Sequence, residues 1–173
     1  MQLVKASLEP PAGLVDLASE LNGGRMAFTW DDDLADGRVT MREYAQLLVD
    51  MEAGRSLREG WVPMTTCWLV DDGGVIAGVS RIRHSLTARL LAHGGHIGYY
   101  VRASYRGQGH GTQILALTLI EARKLGLERV LLTVDSDNLP SIRVIETNGG
   151  VMEDERVDSE GLRYRRYWID LTS

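Results

Sequence analysis

The chain has 173 residues, 44% hydrophobic and 25% charged, enough for one domain with a buried core. A net charge of −5 argues against nucleic-acid or anionic-membrane partners, which need a clustered basic face. Cys67 is the one cysteine, which excludes an intrachain disulfide and a cysteine-rich zinc cluster; no apolar run reads as a secretory signal or bilayer span, so a cytoplasmic location is expected.

Residues 2–7 read as a first strand, ended by Pro10 and Pro11. Leu14, Leu17, Ala18 and Leu21 recur at helical spacing until Gly23-Gly24 stops them. The stretch from Asp31-Asp32-Asp33 to Gly37 reads as a solvated loop. Thr40 can cap a helix beginning near Met41, with Glu43 as capping partner and Tyr44, Leu47, Leu48 and Met51 on its apolar face. Two apolar runs around Asp71-Asp72-Gly73-Gly74 predict a hairpin, with Trp68 as a core residue. A leucine-rich connection over residues 85–94, with a helical turn, leads to a strand at His96-Ile97-Gly98-Tyr99-Tyr100-Val101.

That strand runs into Arg106-Gly107-Gln108-Gly109-His110-Gly111, and a helix follows to about Leu125, closed by Gly126. A strand, a glycine loop and a helix N-terminus together make a cradle for a diphosphate, because free N–H groups and the helix dipole both face an anion. The Walker loop fails, since Thr112-Gln113 stands where Lys-Ser/Thr would follow the last glycine. The dinucleotide fingerprint fails too, because Thr112 occupies the third glycine position. A buried-type strand at 130–134, a helix opening on Asn138-Leu139-Pro140-Ser141, and a hairpin of 151–157 with 163–171 complete the chain. The whole reads as a mixed α/β chain: an antiparallel meander, one βαβ-like unit and a closing hairpin.

The Arg106-x-x-Gly109-x-Gly111 loop, with the elements around it, resembles the acyl-coenzyme A loop of the GNAT superfamily of N-acetyltransferases. That family's pattern is Gln/Arg-x-x-Gly-x-Gly/Ala between its fourth strand and third helix. The family's Asn-x-x-Ser at the next helix matches Asn138 and Ser141, while Gly150 replaces the aromatic residue of its later Gly-Phe. The resemblance covers roughly residues 64–170. It implies the GNAT fold, an α+β arrangement with a mostly antiparallel mixed sheet splayed between strands 4 and 5 and flanked by helices. It also implies a single domain, 1–173, in which residues 1–60 shape the acceptor site and 64–170 bind acetyl-coenzyme A.

By the same resemblance, the amides of Arg106, Gly107, Gln108, Gly109 and Gly111, with Thr112, hold the pyrophosphate. The backbones of Tyr99 and Val101 pair with the pantetheine arm, a chain of amides that can act as a pseudo-strand. Asn138 and Ser141 are either further cofactor contacts or a plain helix cap. The implied reaction is direct attack of a small-molecule or peptide amine on the acetyl thioester, with no metal and a homodimer by family habit. His96 is the candidate base, by its pKa near neutrality, although strand alternation sets it opposite Tyr99 and Val101 unless a bulge intervenes. Tyr100 shares its side of the strand and is a candidate for the acceptor pocket. Many family members carry a proton-donating tyrosine four residues after the Ser; here that residue is Ile145. This departure keeps a second reading open, a catalytically inactive acyl-coenzyme A binding or sensing module.

Overall fold

The computed structural model describes residues 1–24, 26, 28–55 and 57–172. Along the chain run β1 (Gln2–Lys5), α1 (Leu14–Leu21), α2 (Thr29–Ala35), α3 (Met41–Glu52), β2 (Met64–Val70), β3 (Ile76–Arg83) and α4 (Ala88–Ala92). Then come β4 (Ile97–Val101), a 3-10 turn (Ala103–Tyr105), α5 (His110–Lys124), β5 (Arg129–Asp135), α6 (Leu139–Thr147), β6 (Val151–Val157) and β7 (Arg163–Asp170). Among the described residues no helix is long and apolar enough to cross a membrane.

Alternating side chains build two antiparallel sheets, ordered β1-β2-β3-β4 and β5-β7-β6. In β2 and β3, Trp68, Val70 and Val79 turn toward α1–α3, while Leu69 and Ala77 turn toward Ile114 of α5. Every residue of β2 is buried, because helices cover both faces. The second sheet packs Leu132, Tyr167 and Ile169 against Leu115 and Ala122 of α5 and Ile142 and Ile145 of α6.

Helix α5 starts at Gly109, whose φ of 82° suits glycine, and ends with Arg123 and Lys124 against its negative pole before Gly126. Thr118 Oγ1 on α5 is hydrogen-bonded to Ser80 Oγ of β3 at 2.7 Å, fixing the helix over the first sheet. The capping box of α3 forms as its sequence predicts, with Glu43 N–H donating to Thr40 Oγ1 at 3.2 Å and Thr40 N–H to Glu43 Oε2 at 2.8 Å.

One segment departs from its sequence reading. The aspartate run lies in helix α2, not in a solvated loop, and Asp31 is fully buried. Asp31 accepts the Phe28 N–H at 2.7 Å, satisfying an orphan donor at the helix start, and pairs with Arg81 of β3 at 2.6 Å. The Tyr44 hydroxyl of α3 donates to the same carboxylate at 2.7 Å. One buried carboxylate thus ties α2, α3 and β3 together.

Candidate functional site

The two sheets part beyond His96. There the His96 N–H donates to Leu131 O at 2.7 Å, and the Leu131 N–H returns to His96 Nδ1 at 3.0 Å. Gly95 allows this approach: its φ is +63°, and a Cβ there would run into the Leu131 carbonyl oxygen. Past this clasp β4 and β5 diverge around a cleft of about 500 Å³. Arg83 N–H donates to His96 O and Arg102 N–H to Ala77 O, so the even-numbered residues of β4 turn their backbones to β3. By alternation, Tyr99 and Val101 turn theirs to the gap.

The glycine loop begins where β4 leaves the sheet. Among the described residues, the backbone N–H groups of Gly107, Gln108, Gly109, His110, Gly111 and Thr112 donate to no other residue. Gly107 and Gly109 both have positive φ, at 73° and 82°. Six free donors at the positive end of a 15-residue helix can take an anion with several oxygens. The Arg106 N–H is spent on Ala103 O at 3.3 Å, so the free run starts one residue later than the sequence reading had it. The Arg106 side chain folds back, donating through Nε to Val101 O at 2.9 Å with its guanidinium 5.0 Å from the Tyr100 ring centre. The Gln108 side-chain amide donates to Ser104 O at 3.1 Å. Gly111 has a packing role: a Cβ there would meet Val144 of α6 at 3.1 Å.

Across the gap, Asn138 caps α6 by accepting the Ser141 N–H at 3.2 Å. The plain cap therefore forms, and Asn138 and Ser141 also line the cleft. The Tyr99 side chain lies in the same wall, its hydroxyl 2.6 Å from Ser141 Oγ. Met26, Phe28 and Arg81 also line the cleft, as do Asp158 and Glu160 of the β6–β7 turn. The Arg81 guanidinium donates to Met26 O at 2.7 Å and lies 4.7 Å from the Phe28 ring centre. Sequence reading missed the Met26, Phe28 and Arg81 group, because the Arg81–Asp31 pair that anchors it joins residues fifty positions apart.

Two candidates lie outside the cleft lining. His96 is 7% exposed, its Nδ1 is occupied by Leu131, and its ring lies against Trp168. Burial, with Arg83 and Arg129 nearby, pushes its imidazole down to about 4. It holds the two sheets together and is not among the residues lining the cleft. Tyr100 packs against the core under α1–α3 and likewise stays out of the cleft. His84, at the end of β3, bonds Thr65 Oγ1 at 2.8 Å. Tyr164 and Tyr167 of β7 are core residues.

The His96 clasp has a pH signature. A histidine held neutral, with a pKa near 4 when folded and about 6.5 unfolded, stabilises the fold fully above pH 6.5. That contribution is lost as the pH falls from 6.5 through 4, by about 3 kcal/mol at pH 4. His96→Gln is expected to flatten this slope. Urea midpoints at pH 7 and pH 4.5 for both proteins check it, and parallel slopes would contradict the clasp.

A family model for the acetyltransferase (GNAT) family matches residues 36–149. No curated protein matches the chain at a significant level. The fold is shared with RimL, a ribosomal α-N-protein acetyltransferase solved with coenzyme A, at TM-score 0.69 and 17% identity, over 98% of this chain and 93% of that one. It is shared with yncA of Salmonella typhimurium, described as a putative acetyltransferase and solved with acetyl-coenzyme A, at TM-score 0.62 and 18% identity, over 98% and 93%. A mutant spermidine N-acetyltransferase of Vibrio cholerae gives TM-score 0.67 at 13% identity, over 99% and 96%. The splayed sheets and free-amide loop stand in the order that the sequence resemblance implied, and the family match spans well over half of the 173 residues. The chain belongs to the GNAT family of acetyltransferases.

Proposed function

We propose that this chain transfers an acetyl group from acetyl-coenzyme A to the amine of a small molecule or peptide. The observation that carries the reading is the run of six free amides from Gly107 to Thr112, set beside a strand with no partner across the gap. The amides fit a pyrophosphate. The inward backbone of Tyr99 fits the amides of a pantetheine arm, and the N–H of Val101 does the same, its carbonyl being engaged by Arg106. Asn138 and Ser141 close the far side. Coenzyme A, when bound, supplies the activated acetyl group; the protein's own task is to position and desolvate.

The acceptor enters beside Met26, Phe28 and Arg81, so the N-terminal helices shape its choice. The exposed Glu160 carboxylate of the β6–β7 turn lines the same cleft and favours a cationic amine as the approaching group. The amine must lose its proton before it attacks, and with His96 engaged elsewhere, that proton passes to solvent or to that carboxylate. The two acceptor types named for structural neighbours, spermidine and a protein α-amino group, set the range worth testing.

The test is thiol release from acetyl-coenzyme A with spermidine, alanine-leading and serine-leading peptides, and free amino acids. Saturable release that depends on one amine class is expected. Release no faster than hydrolysis with every amine, by a protein that still binds acetyl-coenzyme A, would favour the sensing module.

A further inference from the structure

We propose that the Tyr99 phenol delivers the proton to the sulfur that departs during acetyl transfer, with the Ser141 hydroxyl resupplying it. This assignment rests on the acetyl-transfer reading above. Its basis is the placement of one protic group at one point of the cleft. Tyr99 stands on the gap-facing side of β4, and its hydroxyl reaches across to α6, 2.6 Å from Ser141 Oγ. Both residues line the cleft, beside the Asn138 cap.

The other protic side chains of the cleft lie on other elements, away from the start of α6. Thr133 Oγ1 accepts the Gly94 N–H at 3.1 Å, and the His93 ring packs on Tyr164 at 4.5 Å. Ser159 sits in the exposed β6–β7 turn. One turn along α6 from Ser141, the wall is closed by Ile145, which is 1% exposed and has no proton to give. Of the two hydroxyls where the gap meets the start of α6, the Tyr99 phenol is the more acidic and so the better proton donor.

The chemistry suits a phenol. A thiolate is a tolerable leaving group in water, with a thiol pKa of about 8.5. In a gap between two sheets it loses hydration and becomes more basic. The same burial raises the Tyr99 phenol above its usual value, while its bond to Ser141 pulls the other way, so it stays protonated at neutral pH. The step balances. The amine nitrogen forms the bond to the acetyl carbon, the carbon–sulfur bond breaks with its electron pair on sulfur, and the Tyr99 proton completes the free thiol. The phenolate then accepts the Ser141 hydroxyl proton, which solvent replaces, and the proton of the attacking amine goes to solvent. Ser141 lies in the first turn of α6, where the helix dipole favours a transient negative charge on the phenol.

A structural role for the same bond would hold α6 against β4 and nothing more, so the test separates the two. Tyr99→Phe keeps the ring, which packs against both neighbouring cores. With acetyl-coenzyme A as donor and spermidine or an alanine-leading peptide as acceptor, kcat is expected to fall about 100-fold or more. The affinity for acetyl-coenzyme A, measured by calorimetry, is expected to stay within about twofold of the parent. A second variant carries 3,5-difluorotyrosine at position 99. Its more acidic phenol moves the alkaline limb of the kcat profile to lower pH, which a structural hydrogen bond does not do. A Tyr99→Phe kcat within about threefold of the parent, or an alkaline limb that fluorination leaves in place, overturns the assignment while acetyl transfer stands. A parent protein that neither binds acetyl-coenzyme A nor releases thiol with either amine overturns the transfer reading, and this assignment with it.

Discussion

Replacing Gly109 by glutamate is expected to weaken acetyl-coenzyme A binding about 100-fold or more, the worth of about two charge-assisted hydrogen bonds near 1.5 kcal/mol each. Gly109 has a φ of +82°, and a Cβ placed on it meets nothing within 4 Å. The substitution therefore costs the fold only the left-handed strain of a non-glycine residue, about 1–2 kcal/mol. Its effect on binding is larger. The new carboxylate enters the run of free amides and competes with the pyrophosphate for the same donors. Gly109→Ala keeps the strain without the charge and is expected to lose far less affinity. Gly111→Ala acts elsewhere, because its methyl group presses on Val144 and disturbs the packing of α5 on α6. Calorimetric titration of acetyl-coenzyme A separates the three, and equal losses for Gly109→Ala and Gly109→Glu would contradict the amide cradle.

The second large effect belongs to the buried ion pair. Arg81→Met strands the Asp31 carboxylate, which is 0% exposed, with the Tyr44 hydroxyl and the Phe28 N–H as its remaining partners. Breaking one side of such a pair costs about 3–5 kcal/mol, since an uncompensated charge stays buried. Removing both charges together, as Asp31→Leu with Arg81→Met, is expected to cost clearly less than the sum of the two single changes. Urea unfolding of the three variants measures this. Additive losses would mean that the pair does not couple. The ion pair also reaches the cleft, because Arg81 holds the Met26 carbonyl and both residues line it. The surviving folded fraction of Arg81→Met is accordingly expected to show a raised KM for the amine and an unchanged affinity for acetyl-coenzyme A.

The path from β4 through the glycine loop into α5 is legible because three local signals agree on it. Alternation sets the strand, positive-φ glycines mark the loop, and Gly126 marks the helix end. The parting of the sheets is not local, and it came from the family resemblance. What fixes it is one contact between His96 and Leu131, thirty-five positions apart. Alternation alone assigns a strand-end histidine to a face; it does not reveal that the ring has been taken by the next strand. Asp31 misled for a similar reason. Three carboxylates in a row look solvated until the arginine that neutralises one of them is brought in from another strand. The side of β4 that Tyr99 occupies was readable, but the partner for its hydroxyl lies 42 positions away on α6.

The measurement that bears most directly on the account is calorimetric titration of acetyl-coenzyme A into the unmodified protein. The account predicts saturable binding at one site per chain, lost in Gly109→Glu. An unmodified protein that takes up no acetyl-coenzyme A at millimolar concentration, while folded by its urea transition, would contradict the account and leave the residues from Gly107 to Thr112 as an ordinary helix-capping turn.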